Sequence, residues 1–415
     1  MKKIAIAVAA TMTAATASAM DFTLYGIVDT GLGYTHVNTL NEPTENRFEE
    51  INGYNSGSRF GFKGTEDLGN GYSVSFVLEN GFSSDSGALG QGGRMFGREA
   101  QLKFHSPYGT LSFGRAGTLI SGAGTLDIWG VNADVLPGGW DGIFNIGNYQ
   151  GNGMRLDNMV TYQTPTAAGF TGYLQYSFAN DTVGGDDDDS RANERGSNRY
   201  FAAGLTYNNG PFAGYFAVDS INYQTADFGD NAYNQNGDNV DDSLTVTLGG
   251  SYDFEVVKVY LGAQYFDEVK LSSLGGVTNT LWGAEKIPHR TTADKTYDTT
   301  YGAAMKMKGY AISLSADAPL AGGKAMFGIG YIDAEAADSV ADLVSADANA
   351  AKYADADLKR YVVSVGYDYP FSKRTDVYAV ASYMQDQVDY VNGAQKSAEW
   401  EPSAYGIYVG LRHRF

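Results

Sequence analysis

The sequence contains no cysteine, and after residue 20 it has no apolar run near the roughly 18–20 residues that a transmembrane helix requires. The first absence excludes a disulfide framework and thiol chemistry. The second excludes a helical membrane protein. Basic residues are also scarce, since 29 Lys and Arg stand against 48 Asp and Glu, a formal net charge of −19. Because nucleic-acid phosphates would be repelled, we expect no nucleic-acid partner.

The N-terminal segment has the form of an export signal. Residues 1–3 are a basic start, residues 4–10 are apolar, and residues 17–19 read Ala-Ser-Ala, the A-x-A form that signal peptidase cleaves. We therefore expect residues 1–19 to be a signal peptide and residues 20–415 to form one exported domain. The alternative interpretation is a buried first helix.

Period-two alternation of apolar and polar residues dominates the rest of the chain. In the stretch FTGYLQYSF, Phe170, Leu174, Tyr176 and Phe178 share one face, and polar residues occupy most of the other. Alternation of this kind predicts β-strands with one apolar face. Sixteen such segments can be placed, at about 22–35, 57–66, 71–82, 96–106, 109–115, 155–164, 169–178, 198–207, 211–220, 243–253, 256–267, 303–318, 324–333, 358–369, 374–386 and 403–415.

The gaps between these segments alternate between short and long. Seven are tight turns rich in Gly, Asn and Pro, and eight are longer stretches rich in Asp, Asn, Gly and Ser. A soluble β-sandwich gives no reason to place all long loops at one end. In a membrane, every backbone polar group must be paired within the sheet, so the sheet must close. The sequence therefore predicts an all-β fold, a 16-stranded antiparallel transmembrane β-barrel.

One gap, residues 116–154, differs from the other long ones because its middle carries many apolar side chains, including Leu119, Ile128 and Trp140. A loop this long and this apolar is expected to pack against something. Folding inward against the barrel wall would bury these side chains. We therefore expect this third long loop to lie in the lumen.

Five segments together resemble the trimeric general porins of Gram-negative outer membranes, most closely the betaproteobacterial type. They are FTLYGIVDTGLGY, GSRFGFKGTEDLGNGYSVSF, YGTLSFGRAG, MRLDNMVTYQTPTAAGFTGYLQYSF and YGIYVGLRHRF. The resemblance implies a water-filled channel in the outer membrane for passive diffusion of ions and small hydrophilic solutes, with no catalytic activity. It also implies a homotrimer in contact with outer-membrane lipid and lipopolysaccharide. From the residue patterns we expect no cofactor or metal.

In porins of this type, the third loop and an arginine cluster on the wall form the pore constriction. Carried over to this sequence, the resemblance implies that Arg59, Lys63, Arg115 and Arg155 form the basic side of the constriction. Alternation puts Arg59 and Lys63 on the polar face of the second strand, whereas it puts Arg115 on the face of Phe113, so the inward aim of Arg115 comes from the resemblance. The sixth segment's alternation puts Leu156 on the lipid face. Arg98 is ambiguous by alternation.

The acidic side of the constriction departs from the family pattern. Family members often carry a glutamate after the proline of the loop, and this chain has Gly138 there. The remaining candidates on the loop are Asp127, Asp134 and Asp141. The ion preference stays open, because an excess of arginine favours anions and the acidic chain attracts cations to the pore mouth.

The final segment, YGIYVGLRHRF, alternates to its end at Phe415. A terminal aromatic with such alternation resembles the signal that outer-membrane assembly machinery recognises, and an ordinary edge strand is the alternative. Other functions have less support. Residues 184–189, GGDDDD, offer carboxylates for calcium or form a solvated loop, and no zinc spacing or G-x-S-x-G turn is present. A channel selective for sugars or carboxylates remains the main alternative, ahead of a barrel adhesin or enzyme.

Overall fold

The structure is a computed structural model, and it describes residues 21–38, 45–121, 124–126, 128, 155–179, 198–222, 241–270, 289–290, 297–298, 306–338, 357–392, 396–401 and 403–415. The predicted signal peptide, residues 1–19, lies outside this part of the chain. Within it, no helix has the length and apolar character needed to cross a membrane.

Sixteen barrel strands run in chain order, and two of them consist of two pieces. They are β1 Asp21–Asn38, β2 Glu45–Asn52 with Arg59–Gly69, β3 Tyr72–Gly81, β4 Glu99–Ser106, β5 Gly109–Gly117, β6 Arg155–Gln163, β7 Phe170–Ser177, β8 Arg199–Asn209, β9 Phe212–Asn222, β10 Leu244–Asp253, β11 Lys258–Lys270, β12 Lys306–Leu320, β13 Gly323–Ala336, β14 Asp357–Pro370, β15 Thr375–Asn392 and β16 Lys396–Trp400 with Ser403–Arg414. A 3-10 turn, Gln91–Gly93, and a two-residue ladder, His289–Arg290 with Tyr297–Asp298, complete the described elements.

Every strand pairs antiparallel with its sequence neighbours, and β16 returns to pair with β1. This last ladder runs from Ile27 opposite Arg414 to Asn38 opposite Ser403. Beyond it, Phe415 and Gly26 exchange two backbone hydrogen bonds of 3.1 Å. The predicted closed barrel of sixteen antiparallel strands is therefore confirmed. Closure leaves neither β1 nor β16 as an edge strand, so the backbone is paired all the way round.

The sequence pattern missed the two-piece strands. Residues 45–52, ENRFEEIN, fall in a predicted loop because they are too charged to show an apolar face. They nevertheless pair with the upper half of β1, and the second piece of β2 pairs with its lower half. The two pieces of β16 divide β15 in the same way. Backbone pairing thus continues where the side chains no longer alternate.

The exposed apolar residues form a continuous outer band. Phe216 on β9 stands in register with Leu205 on β8 and with Leu248 on β10, and all three side chains are more than 40% exposed. Their strand neighbours Ala217 and Thr247 are almost fully buried. Since successive side chains of a strand point to opposite faces, the exposed set faces lipid and the buried set faces the bore.

A bulge between β5 and β6 changes which residues face inward. The register shifts between Gly114 and Ala116, and Asn158 adopts a positive φ of 51°. The extra residue in β6 reverses its alternation, as a bulge does. Leu156 is therefore buried in an inner apolar cluster instead of facing lipid as alternation alone predicted.

Changing Leu248 to arginine should destabilise the folded barrel, because the outer band would place a cation in hydrocarbon. The expected loss is about 2–4 kcal/mol of unfolding free energy near the midplane of the bilayer. The measurement is urea unfolding in phospholipid vesicles. Leu248→Phe is the matched control and should leave stability nearly unchanged, since lipid accepts another apolar shape. Equal stability of the arginine variant and the wild type would contradict the lipid-facing assignment.

Candidate functional site on the inner wall

A buried glutamate brings two arginines together on the inner wall. Arg98, just before β4, donates from Nε to Glu79 Oε1 at 2.7 Å, and Nη1 of Arg59 lies 3.9 Å from the same oxygen. Tyr25 on β1 donates its hydroxyl to the other oxygen, Oε2, at 3.0 Å. Glu79 is only 7% exposed. A carboxylate removed from water in this way requires cationic or hydrogen-bonding partners, and these three groups supply them.

Lys63 extends this cationic surface along β2. It lies four residues after Arg59 on the same face, and its side chain is exposed. Its Nζ stands 5.3 Å from the centre of the Tyr25 ring, within the range of a cation–π contact. Lys63 therefore adds an exposed ammonium group to the bore side of the wall.

A second buried glutamate holds the start of the long loop against the wall. Glu99 on β4 is 1% exposed, and its Oε1 accepts a hydrogen bond from Thr125 Oγ1 at 2.7 Å. Lys103 Nζ donates to the same Thr125 hydroxyl at 2.6 Å and lies 3.3 Å from Glu99. Gln101 also donates to Glu99, at 2.5 Å. Thr125 is therefore fixed between an anion and a cation of the inner wall.

Apolar contacts hold the same part of the loop. Leu119 and Ile128 are 0% and 4% exposed and belong to one buried cluster with Tyr200 of β8. The backbone N–H of Ile128 donates to the Leu119 carbonyl at 2.9 Å. A Cβ added to Gly204 would stand 2.8 Å from Leu119 Cδ1 and 3.0 Å from Ile128 Cδ1, so the glycine provides the space for both side chains. We call residues 118–121, 124–126 and 128 the loop root.

The structure places Arg115 in a different cluster from Arg59. Arg115 stands opposite Ala100 in the β4–β5 ladder, two residues along the strand from Phe113. Its Nη1 is hydrogen-bonded to Asp157, and its Nε donates to the Gly97 carbonyl at 2.7 Å. Arg94 reaches the same carboxylate at 3.4 Å. This arrangement agrees with the alternation pattern and ties Arg115 to a carboxylate instead of leaving it beside Glu79.

Of the other predicted site residues, the structure describes Arg155 and Phe415 but not the acidic ones. Arg155 is the first residue of β6, in register with Gly117, where the long loop returns to the wall. Phe415 fills the space over Gly26 with its ring. The acidic candidates and the carboxylate-rich loop lie outside the described residues, namely Asp127, Asp134, Asp141 and residues 184–189.

Sequence reasoning missed three charged residues of the site: Arg98, Glu79 and Glu99. Alternation in β3 and β4 puts both glutamates on the bore side, so their inward aim was readable from the sequence. Their partnership with Arg98 was not, because Arg98 lies just outside a strand. We call Arg59, Lys63, Arg98 and Lys103 the basic wall. Among the described residues of the site, its four cations face the carboxylates of Glu79 and Glu99, which leaves a local excess of positive charge.

The Thr125–Glu99 contact should appear as coupling in a double-mutant cycle of Glu99→Ala and Thr125→Ala. We expect the two stability losses to be non-additive by roughly 1–2 kcal/mol, since the hydrogen bond has an ionised acceptor. Urea unfolding of the four variants gives the coupling. Thr125→Ala combined with Ser382→Ala, which bonds Ser364 at 2.7 Å on another part of the wall, is the additive control. Additive stability losses for Glu99→Ala and Thr125→Ala would contradict the contact between the loop root and β4.

Comparisons with known proteins agree with this architecture. The model of the Gram-negative porin family matches residues 5–389. An outer membrane porin protein of Bordetella pertussis is 33% identical over the full length of both chains, and outer membrane porin protein 32 of Delftia acidovorans is 27% identical over the same extent.

Solved porin structures share the fold. An anion-selective porin from Comamonas acidovorans superposes with a TM-score of 0.63 at 24% identity, covering 95% of this chain and all of the other. OmpF of Salmonella typhi, in complex with daunomycin, gives a TM-score of 0.54 at 17% identity and covers 95% of this chain and 97% of the other. The chain therefore belongs to the Gram-negative porin family, and it forms a channel for passive diffusion across the outer membrane.

Proposed function

We propose that residues 116–154 fold into the bore and, with the basic wall, form a constriction that favours anions. The supporting observation is the loop root. Thr125 is held by Glu99 and Lys103, and Leu119 and Ile128 pack against bore-facing residues of β8. These contacts support an inward path for the loop that starts next to the basic wall.

The charge balance of the wall supports the anion preference. An ion 4 Å from a unit charge in water gains or loses about 1 kcal/mol, which is about a fivefold change in local concentration. The chain's net charge of −19 acts from greater distances, and salt screens it beyond about 8 Å at physiological ionic strength. The nearby guanidinium and ammonium groups therefore dominate at the narrowest point. The anion-selective title of the Comamonas porin is consistent with this proposal.

We also infer that the active form is a homotrimer embedded in outer-membrane lipid and lipopolysaccharide. Residues 82–97 support the assembly, since they form a compact excursion in which Phe82 bridges Leu89 and Arg94 bonds Asp157 of β6. Its Leu89 and Met95 side chains are 49% and 62% exposed, apolar surface that a neighbouring copy would cover. Passive diffusion needs no catalytic residue and no cofactor, and we propose none.

Replacing Arg59 and Arg98 together with alanine should shift selectivity toward cations. Each lost guanidinium removes attraction for anions, and the exposed Glu79 carboxylate then repels them. Planar-bilayer reversal potentials under a salt gradient measure the change. We expect it to be at least about fivefold in the permeability ratio, since one unit charge at 4 Å already changes the local ion concentration by about that factor.

Arg115→Ala is the matched control for this experiment. Its guanidinium is bound to Asp157, so its loss should change the reversal potential far less. An equal shift for Arg115→Ala and the double variant would mean that Arg115 also belongs to the constriction. No shift for the double variant would mean that Arg59 and Arg98 do not belong to it. A wild-type protein without conducting steps would contradict the constriction altogether.

Deleting Phe415 should reduce assembly into the outer membrane of cells more than it slows folding into protein-free vesicles. This follows if assembly machinery recognises the terminal aromatic. Phe415→Tyr retains an aromatic ring and should assemble normally. The measurement is the yield of heat-modifiable barrel in each system. Equal losses in cells and in vesicles would mean that Phe415 acts only by packing on Gly26.

A further inference from the structure

We propose that residues 53–58 form a second inward element of the pore, which the Asp29 carboxylate holds in place and which positions the arginines of the basic wall. This inference rests on the proposed constriction and deepens it, because it identifies what fixes the orientation of Arg59 and Arg98. It concerns a segment that interrupts β2. The sequence pattern put residues 53–56 in a predicted loop and residues 57–58 at the start of the second predicted strand.

The segment leaves the sheet and enters the bore. The two pieces of β2 pair with adjoining halves of β1, and residues 53–58 lie between them. Tyr54 is 7% exposed, and its ring stacks on Tyr408 with centroids 3.8 Å apart. Tyr408 faces the bore, because its strand neighbours Ile407 and Val409 are exposed to lipid. Residues 53–58 therefore lie against the inner surface of β16.

Asp29 of β1 is the residue on which the segment is fixed. Its carboxylate is fully buried and accepts hydrogen bonds from the Ser56 N–H at Oδ2 and from the Tyr378 hydroxyl at Oδ1, both at 2.7 Å. Its carbonyl accepts from the Gly53 N–H at 2.9 Å and from the Ser58 hydroxyl at 3.1 Å. Both ends and the middle of the segment are thus bound to one residue.

Arg412 of β16 holds the segment from the other side. It stands opposite Asp29 in the β1–β16 register, and its Nη1 donates to Asn55 Oδ1 at 2.6 Å and to Ser56 Oγ at 2.8 Å. Its Nε donates to Asp376 at 3.0 Å. Asp29 of β1 and Arg412 of β16 therefore both bind Ser56 of the segment, and Asp376 orients the Arg412 guanidinium.

The segment in turn contacts the two arginines of the constriction. Arg59 Nε donates to the Gly57 carbonyl at 2.8 Å. A Cβ built on Gly57 would stand 3.1 Å from Arg98 Nη1. The Phe82 N–H donates to the Ser58 carbonyl at 3.0 Å, which ties the far end of the segment to the end of β3. The segment thus binds Arg59 directly and limits the space beside Arg98.

The chain has no native cysteine, so a single cysteine at Gly57 can report on this position. Reaction of Gly57→Cys with a sulfonate-bearing methanethiosulfonate would place a negative charge beside Arg98. We expect a stepwise fall in single-channel conductance and a shift of the reversal potential toward cations. Methyl methanethiosulfonate, which adds no charge, should produce a much smaller shift. Leu248→Cys, facing lipid, is the control position and should show neither effect.

The role of Asp29 is tested in the Gly57→Cys background. An amide at position 29 offers one acceptor oxygen where two donors point, so Asp29→Asn should release the segment. If residue 57 moves from about 4 Å to about 8 Å from Arg98, the shift caused by the sulfonate should be roughly halved. Because the shift compares modified with unmodified channels, the charge lost at position 29 cancels.

Asp317→Asn is the matched control. Asp317 accepts the Tyr260 hydroxyl at 2.7 Å on the inner wall, the same bond that Asp29 makes with Tyr378. It should leave the sulfonate shift intact. If Asp29→Asn does not fold, Tyr378→Phe replaces it and removes only the hydrogen bond from Tyr378 to Asp29. Its control is Tyr260→Phe, which removes only the hydrogen bond from Tyr260 to Asp317.

The outcomes separate this inference from the proposed constriction. No sulfonate effect at Gly57→Cys, in channels whose selectivity still responds to Arg59→Ala with Arg98→Ala, would place residues 53–58 away from the current path and overturn the inference alone. An undiminished shift in Asp29→Asn, or in Tyr378→Phe where Asp29→Asn does not fold, would show that Asp29 is not the positioning residue. Loss of response to the arginine variants would instead overturn the constriction.

Discussion

The structure depends on one constraint, that a backbone crossing lipid must pair all of its N–H and C=O groups within the sheet. The ladder between β1 and β16 meets this constraint, and the two backbone hydrogen bonds of Phe415 with Gly26 extend it to the last residue. Once the sheet is closed, successive side chains of each strand can point only outward or inward. One set of side chains meets hydrocarbon and the other lines a wet bore, which gives a channel without any further device.

The inner wall holds its charges in pairs. Arg98 with Glu79, Lys103 with Glu99, and Arg412 with Asp376 are each within hydrogen-bonding distance. Arg360 and Asp386 form a bidentate pair at 2.6 Å and are almost completely buried. Removing one partner of such a pair leaves an uncompensated charge, which costs more than the pair contributes. The pairs therefore fix the orientations of the charged side chains. The excess positive charge of the basic wall is the charge that we expect a permeating ion to meet.

Sequence periodicity was sufficient wherever a strand has one lipid face. The turn of Gly69, Asn70 and Gly71, all with positive φ, was also readable because these residue types tolerate that backbone. Periodicity failed where the lipid constraint ends. The charged strand piece Glu45–Asn52 has no apolar face, and the bulge at Asn158 reverses the alternation that had placed Leu156 in lipid. A bulge adds one residue to a strand, and the residue types present there give no sign of it, so alternation could not predict it.

The sequence by itself determined the two faces and the inward aim of Arg59 and Lys63, because these follow from a period of two within a single strand. It also determined the strand number and the up-and-down order, because sixteen such segments are joined by gaps that alternate between short and long. Only the tertiary structure decided which charges meet. Glu79 joins Arg98 across the excursion between β3 and β4, and Asp29 meets Tyr378 from a strand near the other end of the chain. Such partnerships depend on closure and on side-chain reach between strands, and neither quantity is written in local alternation.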